Sequence, residues 1–212
     1  MNNVTIKLLT PLFLFQVIAC STNNSESEIL TKDNPIIQDL YLKDIEIREL
    51  DAKTDTVNLE EYDKVHREKI FQLLAENKVI TSKDKIRAAW ILQHTVAKIC
   101  EGEVTSMSPE NFLLAYKLSS MALSQLQTEG DTSTIRKENI PRVVALNYDR
   151  YLLFTKGYQK FGTQFVFDDK SGEMLLAPID TSLSNDAERE RYYVEPLKVL
   201  LQKYKMKSMN GK

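Results

Sequence analysis

Three stretches of this chain hold the residue types that could do chemistry. Gln93-His94 sets an imidazole, which titrates near neutral pH, beside an amide on what reads as the apolar stripe of Ile86, Ala89, Trp90, Ala97 and Cys100. Asp149-Arg150 puts a carboxylate and a guanidinium inside the apolar run Val143 to Phe154, where charges are expensive unless paired. Gln159, Thr163 and Gln164 fall in the amide-rich stretch Gly157 to Gln164, and Arg189 supplies a later cation. Buried amides, imidazoles and charges need partners, so the pattern predicts that His94, Asp149, Gln159 and Gln164 converge, with Gln93, Arg150, Thr163 and Arg189 around them.

Two chemistries fit such a cluster. In one, Asp149 orients His94 as a general base while Gln and Arg donors stabilise developing negative charge, as hydrolysis of an envelope glycan, peptide or ester requires. In the other the group recognises a ligand or ties the fold together: Gln159 and Gln164 satisfy backbone edges and Arg189 pairs with Asp149. The second is preferred because no nucleophile is recognisable. Gly-x-Ser-x-Gly, His-Glu-x-x-His, the phosphate loop and the dinucleotide glycine fingerprint are all missing. Ser82-x-x-Lys85 lacks its partner motifs and reads as a helix start, and His66 reads as a half-exposed helix residue without partner ligands. No metal and no cofactor is expected.

Composition places these residues in an ordinary globular domain. The chain has 212 residues, 42% hydrophobic and 27% charged, which excludes disordered and collagen-like classes. A formal net charge of -2 offers no phosphate-tracking surface, so no nucleic-acid partner is expected. Two cysteines, Cys20 and Cys100, and two histidines cannot build a disulfide scaffold or a thiolate metal cluster. The beginning of the chain is the outlier. Lys7 precedes the apolar run Leu8 to Ala19, too short to span a bilayer comfortably, and Val17-Ile18-Ala19-Cys20 resembles a bacterial lipobox. Residues 1–19 are therefore expected to be a lipoprotein signal peptide. Cys20 becomes the lipidated amino terminus, with membrane lipid as its partner, and 20–33 a polar tether. That places the protein in the bacterial cell envelope, periplasmic or surface-exposed.

The elements that must position the cluster are mostly helices. Residues 34–57 form an N-terminal extension in which Asn34-Pro35 can start a helix, while Ile45 and Ile47 alternate as in a strand; both readings stay open. A single globular domain follows over 58–204, then a flexible basic tail over 205–212. Asn58-x-x-Glu61 and Thr81-x-x-Asp84 are capping boxes, the first opening a helix to about residue 77 and the second a helix through Cys100. Ser108-Pro109 and Pro141 start two more, ended by Gly130 and Gly157, and Asn185-x-x-Glu188 opens a last helical region broken near Pro196. Between these helices Gln164-Phe165-Val166-Phe167 and Glu173-Met174-Leu175-Leu176 flank a polar turn, predicting an antiparallel hairpin. The fold class is mainly helical α+β, with five or six helices and one hairpin.

In order, Ala89-Trp90-Ile91-Leu92-Gln93-His94, Asp149-Arg150, Gly157-x-Gln159-x-x-Gly162-Thr163-Gln164 and Asn185-x-x-x-Arg189 before Pro196-Leu197 resemble the motifs of a bacterial family, domain-of-unknown-function family 6624. The resemblance covers roughly residues 58 to 202, and Tyr193-Val194 stands where that family usually shows Gly-Leu. It implies that these polar residues form one group and implies no particular activity. The function expected from the whole reading is a membrane-anchored lipoprotein with a ligand- or protein-binding envelope domain. The alternative is an envelope hydrolase using His94.

Overall fold

The computed structural model describes residues 32–207, apart from 96, 101, 102, 107 and 170, with backbone alone for 97–100 and 103–106. The proposed signal peptide, Cys20 and most of the tether lie outside the described residues. The fold is mainly helical α+β. Five long helices carry it: α1 (Pro35–Thr54), α2 (Leu59–Ala75), α3 (Ser82–Leu92), α4 (Pro109–Glu129) and, after the short α5 (Thr132–Lys137), α6 (Ile140–Lys156). Two short helices, α7 (Asp186–Arg191) and α8 (Leu197–Lys203), close the chain. Two antiparallel hairpins separate them, β1 (Ala97–Cys100) with β2 (Glu103–Ser106) and β3 (Phe165–Asp168) with β4 (Glu173–Leu176).

The helix starts follow from local chemistry. Asn34 caps α1 by accepting from the Ile36 amide at 2.9 Å, with Pro35 in the first turn, whose missing N–H costs nothing there. Thr81 and Asp84 form the reciprocal box expected at α3: the Asp84 amide donates to the Thr81 hydroxyl and the Thr81 amide to the Asp84 carboxylate. The same carboxylate accepts from the Asn34 amide at 2.8 Å, so one acid joins the starts of α1 and α3.

Ile37 of α1 is fully buried in one core with Ile70 and Leu73 of α2, Ile91 and Leu92 of α3 and Leu118 of α4. Within 34–57, read as an N-terminal extension, α1 thus contributes Ile37 to this core, with Leu40 and Tyr41 packed against it. A second cluster, including Ile86, Leu126 and Ile140, joins α3, α4, α5 and α6, and a third packs the β3–β4 hairpin, Tyr192 and Val194 beyond α7, and α8 on Ala145 of α6. The expected hairpin forms with Phe165 opposite Leu176 and Asp168 opposite Glu173. Residues 205–207, expected to begin a flexible tail, run along β4: Leu176 donates to the Lys205 carbonyl and accepts from the Lys207 amide.

One element is corrected. The helix expected to run to Cys100 stops at Leu92, and Ala97 and Cys100 lie in strand β1. Beyond Gln93 the chain becomes rich in β-branched residues, with Thr95, Val96, Ile99, Val104 and Thr105 around a single Gly102. That composition favours a pleated pair over another two turns of helix.

Candidate functional site

The polar residues singled out by the sequence build one continuous network, and His94 stands at its far end. At its centre is Asp149, fully buried on α6. One carboxylate oxygen accepts from the Lys160 and Phe161 amides, both at 2.8 Å. The other accepts from the Gly162 and Thr163 amides at 3.0 Å and the Thr163 hydroxyl at 2.9 Å. Burial pushes this carboxyl above the ordinary range and the donated bonds oppose that rise. Every contact is donated to it, so a proton on either oxygen would face donors; the loop is built for the anion.

Arg189, also buried, holds the other side of that loop. It donates to the Phe161 carbonyl at 3.1 Å and the Lys160 carbonyl at 3.2 Å. The expected Arg189–Asp149 pair is therefore replaced by two separate grips on the loop's backbone. Gln159 satisfies backbone as expected, donating to the Gln164 and Ala177 carbonyls and accepting from the Gln164 amide, each between 2.8 and 2.9 Å. The Gln164 amide group donates to the Thr163 hydroxyl at 3.0 Å, and its carbonyl oxygen accepts from Arg150 Nε at 3.2 Å. Arg150 then donates to the Gln93 carbonyl at 3.0 Å. Burial, with the charge of Arg48 added, lowers the Arg150 guanidinium to about 10, still charged at neutral pH.

His94 does not meet Asp149, whose oxygens are taken by the loop. Because α3 ends at Leu92, His94 leaves the helical stripe and turns toward α1. Its Nδ1 lies 3.1 and 3.2 Å from the two oxygens of Asp44 and 3.1 Å from Nε of Arg48. Arg67 of α2 donates to its carbonyl. Among the described residues every side-chain contact of His94 is made through Nδ1. One nitrogen cannot both donate to Asp44 and accept from Arg48, so the bond it makes sets the tautomer. The Asp44-bonded neutral form leaves Nε2 with a free lone pair, as a general base requires. The orienting role expected of Asp149 thus falls to Asp44.

Arg48 also donates to Asp44 and to Asp63 of α2, so two buried carboxylates share one guanidinium. Burial acts against ionisation at both. At Asp44 the hydrogen bonds and charges of His94 and Arg48 together outweigh it, and the pKa is lowered; at Asp63 burial wins, and the pKa is raised. Ligand atoms of Asp44, Asp63 and His94 all lie within 4.8 Å of one another, which suits a cation. Arg48 donates to both carboxylates, with Nε 3.1 Å from the His94 Nδ1, and takes that place itself. His66, expected half-exposed, is buried one turn from Asp63, and its Nδ1 has no partner among the described residues.

Sequence reasoning missed Asp44, Arg48 and Asp63, although a signal was present. Ile37, Tyr41, Asp44 and Arg48 fall on one helical stripe, as do Asp63, His66, Ile70 and Leu73; an acid on an apolar stripe must be met by a buried partner. Tyr41, Asp44, Ile45, Arg48, Trp90 and His94, with Glu49 and Ala52, line a cavity of about 450 Å³. No family model, no curated protein and no solved structure matches the chain.

Proposed function

We propose that this protein is a bacterial envelope lipoprotein, anchored through acylated Cys20, whose helical domain binds a small ligand in the cavity between α1 and the end of α3. The observation that carries the reading is the cavity itself. Its size falls in the range of small-molecule sites, and it joins aromatic and apolar walls, Tyr41, Trp90 and Ile45, to the polar group Asp44, Arg48 and His94. The lipobox-like run ending at Cys20 supports the anchor. The ordered Gln-His, Asp-Arg and Gln-x-x-Gly-Thr-Gln motifs support membership of family 6624 within the same proposal.

A second reading, hydrolysis with His94 as general base, draws on the Asp44–His94 pair in the cavity wall. In this version the network from Asp149 through Gln164 and Arg150 to the Gln93 carbonyl makes Arg150 a positioning residue rather than a catalytic one. A ligand and turnover screen of the full-length protein against Ile45→Arg tests both. Ile45 is exposed, so the substitution fills the cavity without entering the core. Hits that bind the native protein and are lost in the variant are expected. Hits indifferent to Ile45→Arg, or none, overturn the cavity as the site, and turnover that survives His94→Gln overturns the second reading.

A further inference from the structure

We infer that the cavity's ligand is an organic cation, an amine or quaternary ammonium that sits against Tyr41 and Trp90 beside Glu49; this rests on the cavity being the binding site. The lining sorts by what each residue still has to offer. Tyr41 and Trp90 present electron-rich aromatic rings, and Ile45 and Ala52 add apolar wall. Among the described lining residues Arg48 alone carries a fixed positive charge, and two carboxylates share it: Nε and Nη2 donate to Asp44, and Nη2 also to Asp63. Arg67 and Arg150 donate to the His94 and Gln93 carbonyls and do not line the cavity.

Glu49 is the counterpart. It is an exposed lining residue with no ion pair or hydrogen bond to any described residue. An anionic ligand would meet both Glu49 and Asp44, with the one lining cation among the described residues already shared between Asp44 and Asp63. A neutral ligand would use the aromatic wall and leave the glutamate idle. A compact ammonium uses both, through attraction to the ring faces and to the carboxylate, and it is less strongly hydrated when alkylated, which suits an apolar wall.

The test titrates the full-length protein, by calorimetry or ligand-observed NMR, with three probes of matched shape: choline, its uncharged carbon isostere neohexyl alcohol, and the tert-butylacetate anion. Choline should bind about tenfold tighter than the alcohol, the order expected for a partly desolvated cation on aromatic rings. Glu49→Gln should weaken choline severalfold and leave the alcohol unchanged; Glu49 is exposed, so the variant folds. Equal affinity for alcohol and choline, preference for the anion, or no effect of Glu49→Gln overturns the inference. Binding of the alcohol or the anion at least as tight as that of choline, and abolished by Ile45→Arg, would sink the cation class and leave the cavity reading standing. Failure of all three probes sinks the class, and if the unbiased screen is also empty the cavity reading falls with it.

Discussion

Asp149 and Arg189 hold opposite sides of the same four-residue loop without touching one another. The carboxylate takes the amides of residues 160–163, and the guanidinium takes the carbonyls of Lys160 and Phe161. Neither grip is redundant, because a buried loop that loses partners on either side leaves polar backbone without water.

The two residues should therefore be energetically coupled despite the missing contact. Asp149→Asn turns an NH₂ group toward amide donors and is expected to destabilise by about 3 kcal/mol or more, within the range for a broken buried charge. Arg189→Lys should cost less. In a double-mutant cycle by urea denaturation the combined loss should fall short of the sum by roughly 1 kcal/mol, since a loop freed on one side gains less from the other. Strict additivity would mean that each residue acts on its own element and not on a shared loop.

Gly162, inside that loop, should be the most demanding glycine among the described ones. Its φ is +95°, and an added Cβ would lie 2.8 Å from Cδ1 of Leu200 and 3.0 Å from Cδ1 of Ile179. Gly162→Ala thus adds crowding of the third core cluster to left-handed strain, and a loss of about 2 to 4 kcal/mol is expected. Gly130→Ala, at φ +73° with open space around it, should lose only about 1 kcal/mol. Equal losses in thermal or urea melts would show that the Leu200 and Ile179 side chains give way freely.

Legibility in the sequence tracked how local the determinant was. The starts of α1, α2 and α3 are written in three or four adjacent residues, and Gly130 and Gly157 terminate α4 and α6 as read. The β3–β4 register was legible because apolar strands flank a short polar turn. The convergence of His94, Asp149, Gln159 and Gln164 was inferred from the need of buried polar groups for partners; hydrogen bonds run from Asp149 through Thr163, Gln164 and Arg150 to the Gln93 carbonyl, while His94 turns to Asp44 instead. The partner of His94 was not legible. Choosing between Asp44 and Asp149 required knowing that α3 stops at Leu92, and helical spacing continued to look plausible beyond it. Nor could local pattern show that α1, set apart by composition, returns its Ile37 to the core and its Asp44 to His94.

The anchor is tested independently of the fold. Metabolic labelling with a fatty acid should mark the native chain and not Cys20→Ser, and the unlabelled variant should partition away from membranes, since acyl chains supply the attachment. Equal labelling of both chains, or none of the native one, removes the lipoprotein reading and leaves the cavity untouched.

Asp44 and Asp63, sharing Arg48, should respond to pH with opposite signs. Asp44 has its pKa lowered in the fold, because His94 and Arg48 outweigh burial. Its stabilising contribution is present above the unfolded value of 3.8 and is lost as pH falls through the lower folded value. Asp63 has its pKa raised because burial outweighs Arg48. Its contribution is complete below 3.8 and is lost as pH rises through the higher folded value. Relative to the native protein, the cost of Asp44→Asn should therefore grow between about pH 3 and about pH 7, and the cost of Asp63→Asn should shrink over the same interval. Urea denaturation of both variants across that range measures the two slopes. Slopes of the same sign would mean that Arg48 serves both carboxylates alike, and that the asymmetry between a buried acid paired with His94 and a buried acid without it does not exist in solution.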